Sequence, residues 1–299
     1  MVPAHKLLNY IKWNTRQRMQ YIEIMAYYTG VVSRSNVART FGISDAAATK
    51  DLKLYGDIAP DNIVYKQSVF GFVPASSFSA MFTDLSPGKV LPLIVGNLPM
   101  AGGPLADELI YGIPVERLPL PSRLPSQEIV AQVTRAVHQH KKLRVVYNSL
   151  SDRADSEEMR IIEPHSLINT GLRWHIRAYS EESFDFRDFV LSRISEAEMI
   201  EEEAESSFEF DDDWVEQVVL KLIPHPGLSS RKQQNLLLDY GAEGGSGVIE
   251  LNVRRALLGY LLQRLSIDTT IDHSLNPNAY QLVLENRSEV EQFAGWAFD

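Results

Sequence analysis

Two short stretches set arginines at strand spacing: Leu172-Arg173-Trp174-His175-Ile176-Arg177, and Phe186-Arg187-Asp188-Phe189-Val190-Leu191-Ser192-Arg193-Ile194. Alternation with period two gives Leu172, Trp174, Ile176 and Ala178 one face of a strand and Arg173, His175, Arg177 and Tyr179 the other. In the second stretch Arg187 and Arg193 fall on one face with Phe189 and Leu191 between them. A guanidinium is a planar fork of donors that stays charged, so several of them fixed on a small sheet beside hydroxyls and an imidazole make a site for an anion. The neighbouring strands supply such groups: Tyr147, Ser149 and Ser151 alternate out of one, and His165 follows Pro164 in the next. Placement carries this reading rather than bulk charge, because residues 126–194 hold ten Lys/Arg and ten Asp/Glu. The plainer alternative pairs each arginine with Glu163, Glu181, Asp185 or Asp188 across strands, which is common and worth little.

The elements that must position these groups are a helix and a run of strands. Ser126 to His140 has Ile129, Val130, Val133 and Val137 on one side of a helix. Four strands are predicted after it, Leu143 to Leu150, Met159 to Asn169, Leu172 to Tyr179 and Phe184 to Ile194, separated by the polar turns Ser151 to Ser156 and Thr170-Gly171. A helix feeding short antiparallel strands points to a small β-barrel. Ser149, His165 and Asp152 could be drawn as a hydrolase triad, but no glycine-flanked nucleophile elbow exists and the arginines would be left without a use.

The N-terminal region is chemically different. Residues 1–75 hold nine Lys/Arg against five Asp/Glu, a local charge of +4, while the whole chain of 299 residues carries −10. A basic head on an acidic body would meet a polyanion with one end only. Arg16 to Tyr28 reads as a core helix closed by Thr29-Gly30. Ser33 or Ser35 then caps a short helix, Asn36 to Phe41, and Ser44 caps a second from Asp45 to about Tyr55, with Gly42 in the turn and Ala38 four residues before it. Ile63 to Lys66 and Val69 to Val73 flank Gln67-Ser68 as a hairpin. That order is a winged helix-turn-helix, which would put Ser44, Thr49, Lys50 and Lys53 at the major groove and Lys66 near the wing tip on phosphate. Arg34, just before the first helix of the motif, and Arg39, on it, join them as DNA contacts, and Ala46, Ala47 and Ala48 leave the second helix slim. The competing reading is a protein-interaction domain with Lys50 and Lys53 paired to Asp51 or Asp57.

Composition bounds the remaining choices. The absence of cysteine excludes disulfides, thiolate zinc sites and cysteine nucleophiles, and fits a reducing cytoplasm. Met1 to Tyr10 lacks the apolar core of a secretory signal, and the uncharged run Val90 to Ala106 is broken by prolines and glycines, so it reads as an apolar loop or interdomain strap and no membrane helix is expected. Glu196 to Asp213 is almost purely acidic and reads as a solvated, self-repelling connector rather than a metal cage. Strands at Trp214 to Leu222, Gly247 to Val253 and Tyr280 to Leu284 alternate with helices at Ser229 to Tyr240, Ala256 to Leu265 and Ser288 to Phe298, which points to a ferredoxin-like module. Gly244-Gly245 lacks the Lys-Ser/Thr of a phosphate loop.

Trp174-His175-Ile176 resembles the Trp-Tyr-Leu signature of WYL domains, with His and Ile in place of Tyr and Leu, and Arg187 to Ile194 resembles the arginine-bracketed strand that closes them. Over essentially the whole chain, the order of winged helix, WYL domain and C-terminal extension resembles WYL transcriptional regulators, within them the BrxR/CapW-like regulators of bacterial phage-defence operons. The resemblance implies an Sm-like barrel that senses a nucleotide or single-stranded nucleic acid, and a homodimeric repressor. It implies a pocket at Tyr147, Ser149, Ser151, Arg160, His165, Arg173, Arg187 and Arg193. The expectation is therefore an α+β multidomain chain: a winged helix-turn-helix over 1–75, an apolar linker over 76–125, a WYL domain over 126–205 and a C-terminal extension over 206–299. A cytoplasmic homodimer is expected to bind an inverted-repeat duplex operator under control of an anionic effector. No catalytic residue, metal or cofactor is expected.

Overall fold

The computed structural model describes residues 11–96, 109–116, 118–120, 124–150, 158–242 and 245–298. They form two compact units, residues 1–119 and 120–299. Among the described residues no helix is long and apolar enough to cross a membrane.

The first unit starts with helix α1 (Trp13–Ile24), whose last turn widens into a π-helical Met25–Thr29 before Gly30 ends it at φ 78°. Helix α2 (Arg34–Phe41) is capped by Ser33, whose hydroxyl accepts the Asn36 N–H while Asn36 Oδ1 accepts the Ser33 N–H. Gly42 takes the left-handed turn, φ 60°, and Ser44 caps helix α3 (Asp45–Ile58). Ala48, Leu52 and Tyr55, spaced for one helix face, are buried with Met19, Ile22 and Met25 of the first helix. Strands β1 (Ile63–Lys66) and β2 (Gly71–Pro74) pair antiparallel, and Phe72 bridges back to Val32. The winged helix is therefore present with the expected caps, and its hairpin loop is longer than expected because Gln67–Val69 forms a 3-10 turn.

The stretch expected as a linker departs from that reading. Pro87–Gly96 is a helix, α4, not a loop, and Val90 and Ile94, one turn apart, are buried in the head's core with Phe82, Ile110 and Tyr111. Pro87 sits at the first helical position, where no partner is needed for its missing N–H. The remainder of the run, residues 97–106, lies outside the described residues. A buried carboxylate explains why the chain returns here: Glu23 accepts the N–H groups of Met81 (2.7 Å), Phe82 (3.0 Å) and Thr83 (3.0 Å) and the Tyr55 hydroxyl (3.2 Å). Burial pushes the Glu23 pKa up against those four bonds.

The second unit opens with helix α5 (Gln127–Gln139), capped by Ser126, and five antiparallel strands: β3 (Lys141–Tyr147), β4 (Glu158–Asn169), β5 (Trp174–Ser180), β6 (Asp185–Val190) and β7 (Ile194–Glu203). The spatial order β6-β5-β4-β3-β7 brings the last strand back to the first, as in an Sm-like barrel. Val133, Ala136, Leu143, Val145, Tyr147, Ile162, Ile176, Ala178 and Phe189 fill its core. Three expectations are corrected. The first strand ends at Tyr147, so Ser149 lies beyond it and Ser151 lies outside the described residues. The fourth ends at Val190 in a 3-10 turn, Leu191–Arg193, so strand periodicity does not relate Arg187 to Arg193. The first half of the acidic segment is the closing strand β7 rather than a solvated connector, with Ile194 buried, Ala197 and Met199 packed on the core and the glutamates turned outward.

After Ser207–Asp211 the chain makes a short helix α6 (Asp212–Val215), strand β8 (Gln217–Pro224), helix α7 (Ser230–Asp239), strand β9 (Ile249–Arg254), helix α8 (Leu258–Arg264), strands β10 (Ile267–Asp268) and β11 (Leu282–Leu284), and helix α9 (Arg287–Val290). The expected alternation is present. The strand order β10-β11-β8-β9, with only β10 and β11 parallel, is not the β-α-β-β-α-β arrangement of a ferredoxin-like module. The two-residue β10 carries no period-two signal, which is why it was not anticipated. The segment expected as one helix over 288–298 breaks into α9 and two 3-10 turns.

Helix α8 docks on the barrel. Tyr260 stacks on His175 (4.9 Å between centroids) and donates to Asp188 Oδ2 (3.0 Å). Arg264 Nη1 reaches the Thr170 carbonyl (2.7 Å) across Gly171, where any Cβ would lie 1.4 Å from the guanidinium.

Candidate functional site

Helix α3 turns its apolar side to the core and leaves Ser44, Asp45, Ala46, Thr49, Lys50 and Lys53 exposed. Ser44 is occupied as the cap (Ala47 N–H to Oγ, 3.2 Å), and the Thr49 hydroxyl donates to the Asp45 carbonyl (2.8 Å). Lys50 and Lys53 have no ion pair among the described residues, with Asp57 or any other acid, and Asp51, the other acid expected to neutralise them, is buried against Arg18 at 2.5 Å. That separates the two sequence readings of this helix in favour of an open cationic face. Arg34 and Arg39 are exposed on α2, Arg34 in a loose contact with Asp45 (3.3 Å). Lys66 is exposed at the end of β1 beside Tyr65, Val69 and Phe70, all open to solvent.

The ligand residues expected in the barrel do not form one cup. Tyr147 is buried, its oxygen accepting the Val190 N–H (3.1 Å) and its ring facing Phe189, with the Arg160 guanidinium 5.5 Å above it. Arg160 pairs with Glu182 at 3.4 Å. Arg187 is exposed and donates to Ser183 (2.9 Å). His165 is engaged through both nitrogens, with Ser166 Oγ (2.9 Å) and Asp211 Oδ2 (3.2 Å), and lies between the rings of Phe186 and Trp214. Burial pushes its pKa down, opposed by Asp211. It borders a hollow of about 290 Å³ shared with His140, Pro164 and Ser206. Ser149 is half-buried beyond the strand end.

Arg173 and Arg193 lie near enough for their charges to act on His175. The imidazole is buried, and its Nδ1 has no hydrogen-bond partner among the described residues. Desolvation, then the charges of Arg173 and Arg193, push it down to about 4. A neutral buried ring with an unbonded nitrogen, in the field of two half-buried guanidiniums, is a candidate place to meet an anion's charge and its oxygens.

Sequence reasoning missed the role of Arg177. Its Nε and Nη2 clamp Asp211 (2.7 and 2.9 Å), and Nη1 lies 3.4 Å from Asp188, which also takes the Tyr260 hydroxyl. Asp211 additionally caps α6 through the Trp214 N–H (3.2 Å). Burial raises the Asp188 pKa, whereas bonds from Arg177 and His165 outweigh burial and hold Asp211 below the usual carboxylate range. Asp211, the first of the three aspartates that end the acidic run, three residues before Trp214, was the available signal.

Comparison with known proteins agrees with this architecture. Residues 14–95 match the winged helix-turn-helix domain of BrxR transcriptional regulators, 128–199 the WYL domain, and 217–290 the BrxR C-terminal dimerization domain. The chain is 32% identical over 285 residues to the DNA-binding transcriptional repressor CapW of Escherichia coli (strain KTE188), covering 93% of this chain and 91% of that one. It is 30% identical over 289 residues to CapW of Pseudomonas aeruginosa, covering 97% and 95%. CapW of Stenotrophomonas maltophilia is 30% identical over 297 residues, covering 95% and 93%. With an open cationic helix at one end and a dimerization domain at the other, the chain belongs to the BrxR/CapW family of WYL-domain, DNA-binding transcriptional regulators.

Proposed function

We propose that the chain is a homodimeric repressor that reads an inverted repeat in its own operator and releases it when an anionic ligand, a nucleotide or short single-stranded nucleic acid, binds the barrel. The observation that carries the DNA half is the exposed, unneutralised Lys50–Lys53 face of a capped helix whose other side is core. Two copies are needed, because one winged helix with few phosphate contacts binds weakly and a two-fold pair doubles them. Control of a phage-defence operon is the role consistent with relatives named CapW and BrxR.

Support for the ligand half comes from Arg173, Arg193 and the unbonded nitrogen of His175. Tyr260 of the C-terminal domain stacks on that same imidazole, so a ligand there would touch the body through which the dimer forms. It would act only through different affinity for the DNA-competent and incompetent states.

The test is a gel shift on the DNA upstream of the gene, with and without single-stranded oligonucleotide. Lys50→Ala with Lys53→Ala is expected to weaken duplex binding by about a hundredfold or more and to lower the salt slope by about two per protomer. Unchanged duplex binding removes the operator reading. Arg173→Ala with Arg193→Ala should keep operator binding and lose the oligonucleotide response; equal loss of both would make these arginines structural.

A further inference from the structure

The wing carries an aromatic where its backbone favours glycine. Phe70 has φ 49°, in the left-handed region, and its ring is 72% exposed. A bulky residue held there without a packing partner costs free energy that Gly or Asn would avoid. Its neighbours fix the conformation. Gly71 passes so close to the preceding segment that a Cβ would meet Val31 Cγ2 at 2.7 Å, and Phe72 is bonded both ways to Val32 (2.8 and 2.9 Å). The glycine is thus spent on close approach, and the Phe70 N–H closes the turn on the Gln67 carbonyl (3.2 Å).

After Ile63 the first strand of the ribbon is also exposed, while the second, Gly71–Pro74, is buried or half-buried and packs Phe72 on the core. Val64 and Tyr65 are successive strand residues facing opposite sides, yet both are exposed, so neither side of the hairpin is covered there. Residues 63–74 contain one charged side chain, Lys66, and no acid, in a chain of net charge −10. An acid-free, cationic blade two strands wide, with an aromatic at its point, is complementary to a polyanion's groove. On the same head, Lys50 and Lys53 are exposed and unpaired.

We infer that the wing enters the minor groove of duplex DNA, with Phe70 wedged at a base step and Lys66 on a flanking phosphate, so that the operator is kinked on binding. This rests on the operator reading above. Apolar wedges partly unstack a step and bend the duplex, which favours easily unstacked pyrimidine–purine steps and so adds selectivity at positions without hydrogen bonds to bases.

The experiment measures affinity and end-to-end energy transfer on a dye-labelled upstream duplex, across a salt series, for the full chain and for Phe70→Ala, Phe70→Gly and Phe70→Trp. Phe70→Gly relieves the backbone strain, so its folding is not in question. Loss of the ring is expected to lower affinity about tenfold, as removal of an aromatic stacked on a base does, with a straighter duplex and an unchanged salt slope. Phe70→Trp should keep the bend. If Lys50→Ala with Lys53→Ala abolishes binding while Phe70→Gly binds and bends as the parent does, the wedge is wrong and the operator reading stands. Were the double lysine variant to bind duplex normally, both would fall. Phe70-dependent binding to anionic phospholipid vesicles with no effect on duplex would also overturn the wedge, in favour of a membrane.

Discussion

Lys50 and Lys53 on helix α3 and Arg177 on strand β5 are cations that the same chain treats in opposite ways. The lysines make no ion pair among the described residues, and their neighbour Asp51 is taken by Arg18, so their charge is available to a partner. Arg177 sits in the stretch with the densest arginine spacing, yet it is 6% exposed and held by Asp211 and Asp188 within the fold. Burial without a protein acid would be prohibitive for a guanidinium. A cation's availability for a ligand is therefore set by which acids the fold brings to it, and a run of positive residues does not by itself mark a site. Arg173 and Arg193 fall between the extremes: half-buried, with no ion pair among the described residues and with their charge felt by a neutral imidazole.

This contrast can be broken by measuring stability beside DNA binding. Arg177→Ala should cost about 3–5 kcal/mol, because it leaves Asp211 and Asp188 as uncompensated buried charges. The double lysine replacement should change stability by no more than about 0.5 kcal/mol, since it removes exposed groups with no internal partner. Equal stability losses in denaturant titrations would contradict the division.

A smaller effect sharpens the middle case. His175 has its pKa depressed from 6.5 to about 4, so the unfolded chain binds the proton more readily. Its contribution to stability is fully present above pH 6.5 and is lost as the pH falls toward 4. His165, depressed in the same direction, adds to that loss. His175→Phe, which keeps a ring against Tyr260, should flatten the slope of stability against pH in that window relative to the parent chain. An unchanged slope would mean the imidazole is not the group being titrated.

The head was largely legible in sequence, because its signals are local: Ser33 and Ser44 as caps and Gly42 in the turn; Ala48, read with Ala46 and Ala47 as slimming the DNA-facing helix, is instead buried in the core. The helix at 87–96 was not, since Pro92 and flanking glycines read as breakers and Val90 and Ile94 are held by tertiary burial. Strand β7 was hidden by composition. Its glutamates cover the outer side of a strand whose inward residues are only Ile194, Ala197 and Met199. The arginine stretch carried the expectation of an anion site, but which of its members lie near His175 depends on β5, the 3-10 turn after β6 and helix α8 meeting, and no spacing along the chain encodes that.

Gly171 has a consequence for how the barrel and the C-terminal domain evolve together. Arg264 occupies the volume a methyl group would need, so even the smallest side chain at Gly171 would evict the guanidinium from Thr170. Shortening Arg264 would not free the loop that joins β4 to β5, because Gly171 has φ 83°, where any L side chain is strained whatever space surrounds it. Arg264 can therefore vary among homologues while position 171 stays glycine, so this tie between barrel and C-terminal domain can be lost without any change in the turn.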